Sequence, residues 1–263
     1  MNANFQKIID EYPEDYCDCL ESAYGEHMMS EGGTIAINRM FVGTELQNKS
    51  LLDIGFGLGA AVFYLAKHYQ AKVTGIEINP WMVEEATRRT PENLRANVQF
   101  VKYQQPPLLP FADQSFDVVY SKGVLVHLED KAPLFQEIYR VLKPTGCLII
   151  DDWLSPKKNQ WGERLQKMCI MENLTLFAQT ELDYKTALKI AGFTDIQQRD
   201  ENNNYTQYNL DIIRRLNQPE IAKAFQQKFG NKQWQEAIEA YKLIADSIQD
   251  QELLIRWFKA LKK

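Results

Sequence analysis

Residues 50–60 read Ser50-Leu-Leu-Asp53-Ile-Gly55-Phe-Gly57-Leu-Gly59-Ala60, and this stretch decides the fold. An apolar run the length of one buried strand (50–54) enters three alternating glycines and then an apolar helix over 60–69. Glycines at such a turn let the backbone pass close to a ligand with no Cβ in the way. The helix behind them offers unpaired N–H groups to a carboxylate or phosphate. A second strand, 72–78, carries Glu77 twenty residues after Gly57, where a carboxylate accepts hydrogen bonds from ribose hydroxyls. A dinucleotide site would show G-x-G-x-x-G; the spacing here is G-x-G-x-G, with Asp53 ahead of it. A tight strand-to-helix turn with no ligand is the competing bland reading, and it accounts for neither acid.

Working outward, Asn79-Pro80 is a helix start with Pro at the first position. Further strands are expected at 97–101, 115–120 and 147–151. An amphipathic helix over 131–142, stopped by Lys143-Pro-Thr-Gly146, precedes the last of these. Short strands alternating with helices of about ten residues indicate an α/β domain with a mostly parallel sheet. The last third differs: helices at 161–171 and 181–191, a strand at 194–199, helical periodicity from 205 to 249, and a tail at 253–261 read as a final strand. Ten of the 13 glycines precede residue 147, so the tight turns belong to the front and the back is helix-rich.

The 263 residues carry 30 Lys+Arg against 35 Asp+Glu, a net charge of -5, with 45% hydrophobic and 25% charged residues. Those values exclude a disordered or collagen-like chain. The acidic balance argues against sequence-blind nucleic-acid binding, which needs clustered Lys/Arg. No run approaches the ~18 apolar residues of a membrane span. The polar, acidic start is not that of a signal or transit peptide. The four cysteines (17, 19, 147, 169) lack zinc-site spacing, so no metal is expected, and reduced thiols in the cytoplasm are the default.

Four stretches in order, DIGFGLG (53–59), GIEINPWMVEEA (75–86), LPFADQSFDVVYSKGVLVHL (109–128) and LKPTGCLII (142–150), carry a resemblance. On them the chain resembles the class I S-adenosylmethionine (SAM)-dependent methyltransferases. The resemblance implies a Rossmann-like α/β fold: a seven-stranded, mostly parallel sheet with an N-terminal cap and a helical lid insertion. The division would be cap 1–48, SAM-binding core 49–204, lid 205–250 and final core strand 251–263. SAM would be the only cofactor and S-adenosyl-L-homocysteine its product. By the match Gly55, Gly57 and Gly59 approach the methionine part, Asp53 supports the turn, Glu77 holds the ribose, and Ile78 and Met82 flank the adenine. The family's usual acid before the LPF segment is absent. The chain reads Tyr103-Gln104-Gln105-Pro106-Pro107, and because a Gln carbonyl accepts the same hydrogen bond, Gln104 and Gln105 are expected at the adenine amino group.

The flanks resemble the phosphoethanolamine N-methyltransferases, in YPEDYCDCLESAYGEHMMSEGG (12–33), in the Tyr-Ser-x5-His stretch ending at His127, and in the helical insertion ahead of Arg256-Trp257-Phe258. This implies that Tyr12 and His127 form a pair over the methyl acceptor, that Met29 and Ser30 close over SAM, and that Ser121 belongs with the cofactor residues. Methyl transfer to nitrogen needs a neutral amine held against the methyl with water excluded. A His tuned near neutral pH and a Tyr hydroxyl suit that work. The bland alternatives are that His127 caps the helix near Asp130 and that Tyr12 only packs, with Tyr16 and Tyr24 as competitors. Leu20 and Leu174 stand where tyrosines are expected, and Gly123 where an acid is expected. A phosphate would need Arg, Lys or Tyr donors. Candidates are Lys122, Arg199, Tyr205, Tyr208 and Lys242, with Arg199 and the following ENNNYTQY as an anion lip; each competes with an ordinary surface role. Trp153 would be an aromatic wall for a methylated ammonium or core.

The expected activity is methyl transfer to the amine nitrogen of a small molecule, phosphoethanolamine-like by the flanks. Two rivals stand beside it: a non-phosphorylated acceptor (amine, hydroxyl or carbon), and a SAM-binding module without catalysis. The expected partner is a small-molecule acceptor, with no nucleic acid, and the chain is compatible with a monomer.

Overall fold

Seven strands and eleven α-helices alternate in the computed structural model, which describes residues 3–263; residues 1 and 2 of the expected cap lie outside the described residues. The strands are β1 (Ser50–Ile54), β2 (Lys72–Glu77), β3 (Val98–Lys102), β4 (Phe116–Lys122), β5 (Leu142–Leu154), β6 (Thr194–Asp200) and β7 (Leu254–Leu261), in sheet order β3-β2-β1-β4-β5-β7-β6. β7 runs antiparallel to both its neighbours and the other pairings are parallel. The tail is a strand, as its sequence predicts, and it is inserted between β5 and β6. The strand order reverses between β1 and β4, which opens a crevice beyond their C-terminal ends where α/β sheets bind ligands.

Alternation along β1 sorts the core. Leu52 and Ile54 face a cluster with Ile76, Val119, Leu148, Ile150 and Phe258, while Leu51 joins Val73, Val118 and Ile149 on the other face. Helices α6 (Ala132–Val141) and α8 (Glu181–Ile190) supply Phe135, Ile138, Tyr184 and Leu188 to the first layer; α3 (Gly33–Met40) and α4 (Ala60–Tyr69) supply Ile37, Met40, Val62 and Leu65 to the second. α5 (Pro80–Arg88) begins as its sequence predicts: the Asn79 side chain accepts from the Trp81 and Met82 amides, with Pro80 in the first turn. α6 ends at Val141, and Leu142 already pairs with Phe116 before an irregularity that restores register at Cys147, so the Lys-Pro-Thr-Gly segment belongs to the strand's entry.

The remaining helices form a third packed layer. α1 (Ala3–Glu11) and α2 (Glu14–Tyr24) lead the chain, and α7 (Glu163–Met171) follows β5. Between β6 and β7 stand α9 (Asn202–Leu216), α10 (Pro219–Phe229) and α11 (Asn231–Gln249). Leu165, Met168, Ile212, Leu216, Phe225, Tyr241 and Ile244 bury together there with Ala23 of α2. Truncating a fully buried member such as Leu216 to Ala would cost about 2–5 kcal/mol. The ENNNYTQY stretch, expected as a lip, is the first turns of α9, because Asn202 follows the sheet directly and the residues after it keep helical spacing. Among the described residues no helix is long and apolar enough to cross a membrane, and no group of three or more His, Cys, Asp or Glu is placed to hold a metal ion.

Candidate active site

The glycine turn sits at the crevice. Gly55 and Gly57 hold φ of +78° and +57°, and Gly59, at +90°, leads into α4. A Cβ at Gly55 would stand 2.6 Å from both Val124 methyls, and one at Gly57 would stand 2.9 Å from Met29 Cγ. The backbone conformation and the close approach of these two side chains together require glycine. Glu77 closes the turn from below: its carboxylate accepts from the amides of Gly57 (3.2 Å), Ile78 (2.7 Å) and Asn79 (3.0 Å). Burial raises its pKa while those three amides pull it back. Asp53, fully inside β1, is pushed up to about 8 by burial, with Tyr120 pulling the other way.

Beside this turn lies a cavity of about 470 Å³. Gly55, Gly57, Glu77, Ile78 and Met82 form one wall; Tyr12, Met29 and Ser30 come from the N-terminal segment; Lys122, Gly123 and His127 come from the end of β4 and the turn beyond it. The predicted set therefore converges, with exceptions. Gly59 caps α4 behind the wall, and Ser121 is buried with its hydroxyl donating to the Ile54 carbonyl at 3.2 Å. Gln104 and Gln105 are exposed and do not line the cavity; Tyr103, Pro106 and Pro107 line it instead. The cause is strand geometry. The Tyr103 amide continues the β3 ladder onto the Glu77 carbonyl at 2.7 Å, so Tyr103 shares the inward face with Val101 and Gln104 turns away. Carrying the period-2 count one step past β3 would have found Tyr103. Phe56 and Val124 were also missed, since neither residue type carries a polar signal.

A smaller chamber of about 90 Å³ lies against the same N-terminal segment, under α7 and α11. Tyr12 and His127 stand in the walls of both spaces. The Tyr12 hydroxyl lies 3.2 Å from His127 Nε2, with the rings edge-to-face at 5.6 Å between centroids. Tyr12 is anchored by its carbonyl, which accepts from Asn79 Nδ2 at 3.0 Å, so the cap of α5 also fixes the aromatic. His127 ends a short 3₁₀ turn after β4 and does not cap α6, whose Ala132 amide is taken by Asp130 at 3.0 Å. Burial pushes the His127 pKa down to about 4, with the Thr175 backbone opposing and Lys131 assisting, and burial raises the Tyr12 hydroxyl. Both groups are therefore neutral near pH 7.

Leu20, Leu174 and Trp153 line the smaller chamber. Lys122 spans the two halves: its ammonium donates to Ser30 Oγ at 2.7 Å and the Glu31 carbonyl at 3.0 Å, tying the segment over the crevice to β4. Burial lowers its pKa, and Asp151 and Glu31 oppose that. Three expected substrate residues are engaged elsewhere. Arg199 pairs with Glu201, donates to the Arg39 carbonyl at 2.9 Å and lies 4.3 Å over the Trp257 ring, because the buried Glu201 two residues on requires a cation. Tyr205 donates to Asp151 Oδ2 at 2.9 Å, and Tyr208 packs against it and Gly32. None of the three lines either space.

Residues 52–150 match a family described as a methyltransferase domain. A phosphoethanolamine N-methyltransferase of Plasmodium falciparum is 29% identical over 238 residues, 86% of each chain. Phosphoethanolamine N-methyltransferase 1 of Arabidopsis thaliana is 29% identical over 77% of this chain, which spans 41% of that longer relative. In fold, phosphoethanolamine N-methyltransferase 2 of Haemonchus contortus, in complex with phosphomonomethylethanolamine and S-adenosylhomocysteine, superposes with a TM-score of 0.86 at 22% identity, over 98% of this chain and 60% of that one. A putative sarcosine dimethylglycine methyltransferase from Galdieria sulphuraria follows at 0.72 and 16% identity, over 88% and 85% of the two chains. With the sheet order, the glycine turn over Glu77 and the match over residues 52–150 together, the chain has the Rossmann-like methyltransferase fold and is a SAM-dependent methyltransferase.

Proposed function

We propose that the chain methylates the nitrogen of a small amine, and that Tyr12 and His127 hold that nitrogen. The observation carrying the reading is the Tyr12–His127 contact, buried in the partition between a cofactor-sized cavity and a smaller chamber. The larger cavity fits SAM by its chemistry: a cradle that a Cβ would fill at Gly55 and Gly57, and a buried carboxylate at Glu77 with one Oε2 lone pair left for a ribose hydroxyl. Asp53, Gly55, Gly57, Glu77, Ile78 and Met82 would hold it, with Tyr103 in place of the two glutamines and Met29 and Ser30 over the top. SAM supplies, when bound, a methyl made electrophilic by its sulfonium.

The chain's own residues then do three things. In the contact between neutral His127 and Tyr12 one group donates to the other, which fixes the Tyr12 hydroxyl and leaves its oxygen lone pairs to accept from an amine N–H. A His held near 4 is a weak base, so the pair orients the amine more than it stores the proton. The same burial that depresses His127 disfavours an ammonium at that point and favours the amine with its lone pair free. Lys122 holds the Ser30 hydroxyl and the Glu31 carbonyl, and so keeps this segment over the cavity. The named relatives, phosphoethanolamine N-methyltransferases, support an amine acceptor.

The test is incubation with SAM and a panel of small amines, with N-methyl products read by mass spectrometry. His127→Ala should bind SAM about as wild type does and lose about tenfold or more in turnover. SAM binding with no amine methylated would favour the non-catalytic module.

A further inference from the structure

The smaller chamber has the wrong charge for a phosphate. Glu31 and Glu172 are its acidic lining residues, His127 is neutral, and none of the described residues lining it is Lys or Arg. Glu31 is 3% exposed and its Oε1 has no hydrogen-bond partner. It lines both spaces, as Tyr12 and His127 do. Glu172, at the end of α7, stands in the same chamber. Burial raises both carboxyls above their ordinary range, with Lys122 drawing Glu31 down and Tyr16 drawing Glu172 down. Aromatic faces of Tyr16, Tyr24, Trp153 and Tyr241 complete the wall.

The nearby cations are spoken for. Lys122 is bonded to Ser30 and Glu31 and faces Asp151; Arg199 is bound to Glu201; Arg215 donates to the Ser22 carbonyl at 2.7 Å and also to that of Ala23. A phosphomonoester carries up to two negative charges and needs converging donors; here it would meet two carboxylates in a low-dielectric space. A cation meets the reverse: an unpartnered carboxylate oxygen, a second carboxylate and several π faces.

Resting on the amine reading above, we propose that the acceptor is a small alkylamine without a phosphate that enters as a cation, with Glu31 and Glu172 as its charge partners; the reacting ammonium gives its proton to the Glu31 carboxylate, and the lone pair so freed takes the methyl from SAM, leaving S-adenosyl-L-homocysteine. Glu31 sits beside the reacting nitrogen and Glu172 under the far end, so a second ammonium on the tail adds to recognition. Methylated products stay cationic, and the aromatic wall accommodates them.

The experiment compares phosphoethanolamine, ethanolamine and 1,3-diaminopropane as acceptors at saturating SAM. The expected kcat/KM is about tenfold or more higher for both unphosphorylated amines. Glu172→Gln should raise KM for 1,3-diaminopropane more than for ethanolamine, and Glu172→Arg should move the preference toward phosphoethanolamine. Equal or better use of phosphoethanolamine by the wild-type protein overturns the proposal, whatever the variants do. Should no amine turn over, calorimetry on the protein loaded with S-adenosylhomocysteine separates the two readings. Tighter binding of 1,3-diaminopropane than of phosphoethanolamine upholds the cation chamber and sinks amine methylation; tighter phosphoethanolamine binding, or binding of neither, overturns the chamber.

Discussion

Tyr12→Phe tests whether the partition acts as one unit. The substitution removes one oxygen and leaves the ring, its edge-to-face packing on His127 and the Asn79 anchor on the Tyr12 backbone in place. What is lost is the contact at 3.2 Å to Nε2. Nδ1 of the same ring makes no hydrogen bond of normal geometry and has only the Thr175 backbone near it, so the imidazole of the variant would be buried and poorly satisfied. A buried hydrogen bond whose partner is orphaned is worth about 1–3 kcal/mol, and a separation at the long end of the range argues for about 1.5. At 1.36 kcal/mol per decade, Tyr12→Phe should lower kcat/KM for the amine by about tenfold. His127→Ala removes the other half and should cost at least as much. If the two orient the amine together, the double variant is no worse than the poorer single, which leaves a coupling of about 1–2 kcal/mol in the cycle. The assay is steady-state SAM consumption on all four proteins, with SAM affinity by calorimetry and melting temperature as controls. Losses that simply add, or a Tyr12→Phe effect confined to SAM affinity, would refute the paired role.

Burial sets a pH signature. His127 falls to about 4 from an ordinary 6.5, so between those values the unfolded chain binds the extra proton and stability drops as pH falls, by about 3 kcal/mol across the window. Asp53 (about 8), Asp151 (about 7) and Asp152 (about 6) are raised and work in the opposite sense, being common to both proteins, so the difference between wild type and His127→Leu in urea titrations at pH 6.5 and 4 isolates the histidine. Gly55→Ala puts a Cβ 2.6 Å from two Val124 methyls at a φ of +78°, and should cost about 2–4 kcal/mol and weaken SAM binding. Adding Val124→Ala should restore the steric part and not the backbone part, read by thermal melts. Arg199→Ala should lower stability by about 1–3 kcal/mol through Glu201 and leave kcat/KM within about twofold; a loss confined to acceptor KM would return Arg199 to the substrate site.

These expectations depend on different kinds of legibility. The sheet could be read because its strands are short apolar runs between strong punctuators, and the glycine turn because positive φ and close approach leave little choice of residue. His127 and Tyr12 are far apart in sequence, and only the family likeness paired them; neither residue's own neighbourhood did. The failures share one cause. Gln104, Arg199 and Tyr205 were chosen for what their side chains can bond, but whether a polar group is free depends on what the fold places against it. A strand's alternation turned Gln104 outward, and buried Glu201 and Asp151 took up Arg199 and Tyr205. The same accounting explains the small chamber. A net charge of -5 meant that any phosphate site must be assembled locally from a few donors. The fold spends those donors on structure and brings together Glu31, from a loop ahead of α3, and Glu172, from the end of α7. A carboxylate left without a partner inside a protein raises its pKa or finds a cation. On the proposed amine reading, the acceptor itself is the cation at hand.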